Sequence, residues 1–254
     1  MRHLFITLNG QTLSYYCSDQ LNLQNTPIFL HGWGSEAQHL KILFQSLNNY
    51  LAIDLPGFGQ SQLPNTPWGL EEYAEMVKLV VNTFQIKSPI LIGHSFGGSI
   101  ALQYALKFPQ VKKLILIDSA GLRLPSVKKS IFLLLTKLIK PLFTSSVNNP
   151  LYKKFRNTFY RLIGSEDFIE AGPRTEIFKK IIAYNLRPFL PLINTETILI
   201  WGANDWATPL KHAHIFAKEL PHAKLEIIPK AGHFCFIDQP QAATTLLIQA
   251  LNDN

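Results

Sequence analysis

A serine between spaced glycines stands where the sequence pattern changes sharply. Residues 89–103 read PILIGHSFGGSIALQ, in which one apolar run ends at Gly93 and a second run, with helical spacing, begins at Phe96. Ser95 is therefore predicted at a strand-to-helix turn, where Gly93 and Gly97 allow backbone segments to pack closely. The N–H groups of a first helical turn also favour developing negative charge. A helix-capping serine would fit the same five residues, so a nucleophile is indicated only if partner groups exist.

Two loops near the end of the sequence supply such partners. A serine hydroxyl needs a general base, and the base needs a neighbour that fixes its tautomer. Asp205 follows the strand-like run TILIWG, and His233 follows the strand-like run KLEIIP. Open α/β sheets bind ligands at the carboxyl ends of their strands, where all three residues are predicted. The pattern therefore predicts Ser95, Asp205 and His233 as nucleophile, acid and base.

A third loop predicts donors for a developing oxyanion. The run PIFLH leads into HGWGS, where Gly32 and Gly34 let the backbone approach the serine. The backbone N–H groups of Trp33 and Phe96 are then able to converge on one oxygen atom. We predict these two amides as the oxyanion hole.

Alternating strand and helix patterns surround these loops. Eight β-branched or leucine-rich runs are strand candidates: FITLN, TLSYYC, PIFLH, NYLAIDL, PILIG, KLILID, TILIWG and KLEIIP. Apolar stripes with helical spacing predict amphipathic helices near 70–84 and 242–251. Two N-terminal hairpin strands followed by alternating strands and helices predict an α/β fold. Its sheet is expected to be mostly parallel, with helices on both faces.

The segment 122–195 interrupts this alternation with helical patterns and no strong strand, and we predict an inserted helical cap there. The core domain would then comprise 1–121 and 196–254. The cap segment holds 13 Lys and Arg against 4 Asp and Glu, and the whole chain has a net charge of +7. Its basic residues lack the glycine or aromatic interleaving of RNA-binding proteins, so no nucleic acid partner is expected. A solvated helical surface is the simplest interpretation.

The basic cap also permits a second interpretation, weak contact with an anionic membrane surface. Lysines surround the short apolar run IFLLLTKLI, at Lys128, Lys129, Lys137 and Lys140. A basic amphipathic segment of this kind can rest on anionic lipid. The run is too short to span a bilayer and is interrupted by Lys137.

Cysteine and histidine usage predicts neither disulfides nor a metal site. Cys17 and Cys235 lie far apart without metal-ligand spacing, as is typical of free thiols in a reducing compartment. His212 and His214 lack a third ligand and are interpreted as surface residues of a helix. The N-terminal residues lack the apolar region and cleavage site of a secretory signal, so we expect a cytoplasmic protein.

Five motifs together resemble the α/β-hydrolase superfamily. They are HGWG at 31–34, DLPGFGQS at 54–61, GHSFGG at 93–98, GANDWATP at 202–209 and AGHF at 231–234. The set is similar to the capped branch with carboxylesterases, meta-cleavage-product hydrolases and cofactor-free haloperoxidase-like esterases. This resemblance implies an α/β-hydrolase fold with an eight-stranded sheet and no cofactor. It implies the same roles for the triad and for the two oxyanion amides.

Residues near these motifs have alternative roles that stay open. Asp118, which ends KLILID, is a second candidate for the acid, because some members of the superfamily carry it there. His31 and His94 flank the predicted site and are interpreted as residues that orient loops. The candidates for a substrate pocket are His31, His94, Trp206, Phe234 and Phe236. Each of them would also fit a role in loop packing alone.

The expected activity is hydrolysis of carboxylic esters of small to medium acyl length through an acyl-enzyme intermediate. The first alternative is carbon–carbon bond hydrolysis of the meta-cleavage type. Such relatives usually carry Asn before the nucleophile and Trp after the histidine, where this sequence has His94 and Phe234. The second alternative is a ligand-binding receptor or scaffold, against which the intact triad argues. The natural substrate and the oligomeric state stay open.

Overall fold

A single eight-stranded sheet forms the centre of the computed structural model, which describes residues 1–124 and 171–253. The strands are β1 Arg2–Leu8, β2 Gln11–Cys17, β3 Pro27–Leu30, β4 Leu51–Ile53, β5 Ile90–His94, β6 Lys113–Ile117, β7 Thr197–Gly202 and β8 Ala223–Ile228. Their order across the sheet is β1-β2-β4-β3-β5-β6-β7-β8. The predicted α/β fold with an eight-stranded sheet is confirmed.

The sheet changes from antiparallel to parallel after its first strands. β1 and β2 form a hairpin whose turn residues Asn9 and Gly10 have φ values of 49° and 78°, as expected for an Asn-Gly turn. β2 pairs antiparallel with β4, and all later neighbours are parallel. The carboxyl ends of β3 to β8 therefore meet at one edge, which is where ligands bind in such sheets.

Helices cover both faces of the sheet. They are α1 Lys41–Phe44, α2 Leu70–Thr83, α3 Phe96–Lys107, α4 Thr175–Ala183, α5 Leu210–Glu219, α6 Cys235–Asp238 and α7 Pro240–Asn252. Side chains alternate between faces along each strand: Ile28 and Leu30 join the core with α2, α3 and α5, whereas Phe29 joins the core with α1, α6 and α7. The two apolar cores fix the ends of the central strands on both sides.

The predicted cap is described only at its two ends. Residues 171–195 contain α4 and the 3₁₀ turns Gly172–Arg174 and Arg187–Leu192, with no strand in that stretch. Lys128, Lys129, Lys137 and Lys140 lie outside the described residues, so the cap boundaries and the lipid contact stay predictions. Within 1–124 and 171–253, no helix has the length and hydropathy that a membrane span needs.

Candidate active site

Ser95 occupies a strained turn between β5 and α3. Its φ of 51° and ψ of −112° are rare for a residue with a side chain and need support from the surrounding structure. Its N–H donates to the Ile117 carbonyl at 3.0 Å. Its own carbonyl accepts the N–H groups of Gly98 and Ala120, each at 3.0 Å. These bonds hold the half-buried hydroxyl at the carboxyl edge of the sheet.

The absence of a side chain at Gly93 and at Gly97 makes this turn possible. A Cβ on Gly93 would overlap the backbone of Gly97, and a Cβ on Gly97 would overlap the carbonyl of Leu30. A Cβ on Gly32 would lie 3.4 Å from the Cβ of Ser95. The loop after β3 therefore lies directly beside the serine.

His233 lies between the serine and a carboxylate. Its Nε2 is 3.1 Å from Ser95 Oγ, and its Nδ1 is 2.9 Å from Asp205 Oδ2. An ionised carboxylate only accepts hydrogen bonds, so Nδ1 carries the proton and Nε2 is left to accept from the serine hydroxyl. The Asp205 side chain is fully buried, and that of His233 is 11% exposed.

The turn after β7 stabilises the ionised form of Asp205. Its Oδ1 accepts the N–H groups of Ala207 at 2.8 Å and Thr208 at 2.9 Å, and its Oδ2 is 2.6 Å from Thr208 Oγ1. Burial alone would raise the pKa of Asp205, but the hydrogen bonds from His233 and Thr208 outweigh burial and lower it. Thr208 is not among the site residues predicted from the sequence. The Asp-x-x-Thr spacing before a helix was the available signal, because aspartate often accepts N–H groups two and three residues later.

Asp118, the second candidate acid, lies at the end of β6 with a φ of 45°. Its Oδ1 accepts the N–H of Gly202 at 2.8 Å, and its Oδ2 accepts the N–H of Cys235 at 3.4 Å. Among the described residues, the carboxylate that pairs with the His233 ring is that of Asp205. Burial raises the pKa of Asp118 to about 7.

The two predicted oxyanion amides belong to segments that adjoin Ser95, the start of α3 and the loop after β3. Phe96 is the first residue of α3, so its N–H belongs to a helical turn whose donors have no intrahelical acceptor. The ring of Trp33 packs against three other rings, with centroid distances of 4.9 Å to Phe58, 5.8 Å to Phe96 and 4.8 Å to Phe178. These contacts hold the loop that carries the second amide.

His31 and His94 are buried and bonded to backbone groups. The Nε2 of His31 accepts the N–H of Leu55 at 2.9 Å, and its Nδ1 lies 2.8 Å from the Gly32 carbonyl. The Nε2 of His94 lies 2.8 Å from the His233 carbonyl. Burial lowers the pKa of His31 to about 4, and burial with the nearby His233 lowers that of His94 to about 3. Both rings are therefore neutral and orient the loops they contact.

The aromatic pocket candidates separate into two groups. Phe236 is buried, and its ring packs edge-on against His94 at a centroid distance of 5.0 Å. Trp206 is 72% exposed and Phe234 is 44% exposed. The second pair is therefore accessible and adjoins the acid and the base in the chain, whereas Phe236 belongs to the apolar core.

The remaining histidine and cysteine candidates lie on α5 or inside the core. His212 and His214 lie on α5. In the part of the chain that the structure describes, no group of three or more His, Cys, Asp or Glu is arranged to hold a metal ion. Cys17 and Cys235 are buried free thiols.

Comparison with known proteins identifies the family. The family model described as the alpha/beta hydrolase fold matches residues 28–240, most of the chain. The chain belongs to the α/β hydrolase fold family. As an α/β hydrolase it resembles a solved α/β hydrolase enzyme from a Medee basin deep-sea metagenome library. That structure has a TM-score of 0.76, with 21% identity over 99% of this chain and 98% of the other.

Curated relatives of this α/β hydrolase include enzymes with different named reactions. The 2-hydroxy-6-oxo-6-phenylhexa-2,4-dienoate hydrolase of Burkholderia cepacia is 26% identical over 97% of this chain and 95% of its own length. The pimeloyl-[acyl-carrier protein] methyl ester esterase of Wigglesworthia glossinidia brevipalpis is 28% identical over 84% and 88%. Matches to uncharacterized mycobacterial proteins cover 75% of this chain but only 63% of theirs. Of these relatives, one is thus named a dienoate hydrolase and another a methyl ester esterase.

Proposed function

We propose that this protein is a serine hydrolase that cleaves carboxylic esters of small to medium acyl length through an acyl-enzyme intermediate. The observation that carries the proposal is the continuous hydrogen-bonded chain of three side chains. It runs from Ser95 Oγ to His233 Nε2 at 3.1 Å and from His233 Nδ1 to Asp205 Oδ2 at 2.9 Å. This connectivity is the one that activates a serine hydroxyl as a nucleophile.

In the first half of the reaction, Ser95 Oγ attacks the ester carbonyl carbon while His233 Nε2 takes the hydroxyl proton. The backbone N–H groups of Trp33 and Phe96 hold the negative oxygen of the tetrahedral intermediate. The ester C–O bond then breaks, and His233 gives its proton to the leaving alcohol. Ser95 is left acylated.

In the second half, His233 Nε2 takes a proton from water, and the resulting hydroxide attacks the acyl carbon. The bond to Ser95 Oγ breaks, the proton returns to that oxygen, and the carboxylic acid leaves. Asp205 keeps the imidazole in one tautomer and stabilises its charged form in both halves. Water and these side chains supply every proton in the scheme.

Aromatic surroundings support an apolar acyl group. Trp33 is half-buried and packs 4.8 Å from Phe178 by ring centroids, next to the proposed oxyanion hole. Trp206 and Phe234 add exposed aromatic surface beside the acid and the base. Ligand sites are commonly apolar with a few placed polar groups. The esterase among the relatives agrees with this substrate class.

A panel of p-nitrophenyl esters from acetate to octanoate tests the proposal. We expect turnover by the wild type and a loss of roughly 10⁴- to 10⁶-fold in kcat for Ser95→Ala. Ser99→Ala, one turn further along α3, is the matched control and should keep near wild-type turnover. Equal hydrolysis by Ser95→Ala and wild type would refute the proposed nucleophile.

Carbon–carbon bond hydrolysis is the second candidate, favoured by the similarity to the dienoate hydrolase. The same preparation is therefore assayed with a vinylogous 1,5-diketone. We expect a higher kcat/KM on the best ester, because His94 and Phe234 stand where meta-cleavage relatives usually carry Asn and Trp. A higher kcat/KM on the diketone would replace the ester assignment.

A further inference from the structure

A buried carboxylate that the proposed mechanism does not use lies behind the triad. The side chain of Asp118 accepts the N–H of Gly202 at 2.8 Å and the N–H of Cys235 at 3.4 Å. Gly202 precedes Asp205 by three residues, and Cys235 follows His233 by two. One carboxylate is therefore bonded to both the loop of the acid and the loop of the base.

Two further contacts strengthen this connection. The carbonyl of Asp118 lies 3.0 Å from Thr208 Oγ1, the hydroxyl that is 2.6 Å from Asp205 Oδ2. The side chain of Cys235 also interacts with the Asp118 carboxylate and lowers the pKa of Asp118. Asp118 therefore contacts the acid indirectly, through the Thr208 hydroxyl, and contacts the loop of the base through Cys235.

Among the described residues, the titratable groups that influence Asp118 include the Cys235 thiol, the Asp205 carboxylate and the His233 imidazole. Burial, together with the neighbouring Asp118 charge, raises the pKa of the Cys235 thiol, so it remains a neutral donor. Burial raises the pKa of Asp118 to about 7, and the hydrogen bonds from Gly202 and Cys235 oppose that rise.

The charge of Asp118 also interacts with the base. A protonated His233 lowers the pKa of Asp118. Because that interaction is mutual, an ionised Asp118 stabilises the imidazolium that forms when His233 takes the serine proton. The hydrogen bonds of Asp118 and its negative charge therefore both act on the acid and the base.

We propose that Asp118 is a positioning residue whose ionised carboxylate holds the Asp205 and His233 loops together and stabilises the protonated imidazole formed during turnover. The inference rests on the proposed serine hydrolase function. It predicts that activity depends on an ionisation of Asp118 near neutral pH.

The test compares pH profiles of wild type, Asp118→Asn, Cys235→Ala and Cys235→Ser. The amide introduced by Asp118→Asn carries no titrating charge, so we expect this variant to lose the Asp118-dependent ionisation and to have a lower kcat with little change in KM. Cys235→Ser and Cys235→Ala differ by one hydroxyl that can donate to Asp118. The Asp118-dependent ionisation should lie at higher pH in the alanine variant, by roughly one pKa unit, the size expected for one lost hydrogen bond to a charged acceptor.

Each profile is also measured as the rate at which a fluorophosphonate labels Ser95, which requires no ester turnover. Identical labelling profiles in wild type, Cys235→Ala and Cys235→Ser would overturn the inference, even if Asp118→Asn does not fold. Labelling profiles that shift as expected would support it even if no ester is hydrolysed. Absence of ester hydrolysis by the wild type would count against the proposed function alone.

Discussion

The ends of the neighbouring strands β6 and β7 each place a buried aspartate near His233, and the pKa values of the two carboxyls move in opposite directions. The pKa of Asp118 is raised to about 7, whereas that of Asp205 is lowered. In both cases burial is the largest influence and favours the protonated form. Burial alone therefore does not decide which carboxylate is charged.

The hydrogen bonds account for the difference. Asp205 accepts two backbone N–H groups within 2.9 Å, and its Oδ2 lies 2.6 Å from the Thr208 hydroxyl and 2.9 Å from His233 Nδ1. Asp118 has one short backbone donor, from Gly202 at 2.8 Å, and a longer one from Cys235 at 3.4 Å. Hydrogen bonds to the charged form lower the pKa of a carboxyl. A turn that points its own N–H groups back at the aspartate thus makes the better acid partner for a histidine.

Replacing each of the two aspartates in turn by asparagine gives the largest expected difference in activity. Asp205→Asn removes the acceptor that fixes the His233 tautomer, so we expect kcat/KM on esters to fall by about 10⁴-fold. Asp118→Asn, the matched control on the adjacent strand, should retain far more activity, because His233 keeps its bond to Asp205. Steady-state kinetics with a p-nitrophenyl ester measures both. An inactive Asp118→Asn beside a fully active Asp205→Asn would assign the acid to Asp118.

Substitutions of Thr208 should change activity less, but they test a single hydroxyl group. Thr208→Val keeps the side-chain shape but removes the hydroxyl at 2.6 Å from Asp205 Oδ2, so the pKa of Asp205 should rise toward its ordinary value. We expect kcat/KM to fall by roughly 10-fold, the size of one lost charge-assisted hydrogen bond. Thr208→Ser keeps the hydroxyl and should stay near wild type. Equal kcat/KM for the valine and serine variants would show that the hydroxyl does not support the acid.

Local sequence patterns predicted the fold and the position of each site residue along it. Ser95 follows from a strand, a glycine-spaced turn and a helix that are contiguous in sequence. The strand NYLAIDL is shorter than predicted, at Leu51–Ile53, because Pro56 and Gly57, with a φ of 87°, turn the chain soon afterwards. Catalytic roles for the triad stay predictions, although its three side chains lie within hydrogen-bonding distance.

Long-range contacts could not be read from the sequence. The donors to Asp118 come from Gly202 and Cys235, which are 84 and 117 residues away along the chain. The sequence therefore left two candidates for the acid. Their different hydrogen-bond partners are seen only in the folded structure, where β6 pairs with β7. Phe234 and Phe236 were likewise grouped together, but the short helix α6 exposes the first and buries the second.

The pH dependence of stability gives the smallest effect and the most direct comparison of the two carboxyls. The folded-state pKa of Asp118 is above the ordinary value of 3.8, so between about pH 4 and 7 the folded state binds more protons than the unfolded state. Asp118 therefore makes the protein lose stability as pH rises through that window. The folded-state pKa of Asp205 is lowered, so Asp205 contributes stability above its ordinary pKa that is lost on acidification.

Urea unfolding of wild type, Asp118→Asn and Asp205→Asn at each pH from 2 to 8 measures both contributions. Relative to wild type, the unfolding free energy of Asp118→Asn should increase as pH rises toward 7, by about 1.4 kcal/mol for each unit of pKa difference. The unfolding free energy of Asp205→Asn, relative to wild type, should decrease as the pH rises from the lowest pH measured. Parallel stability curves for the two variants would show that the carboxyls do not differ in ionisation.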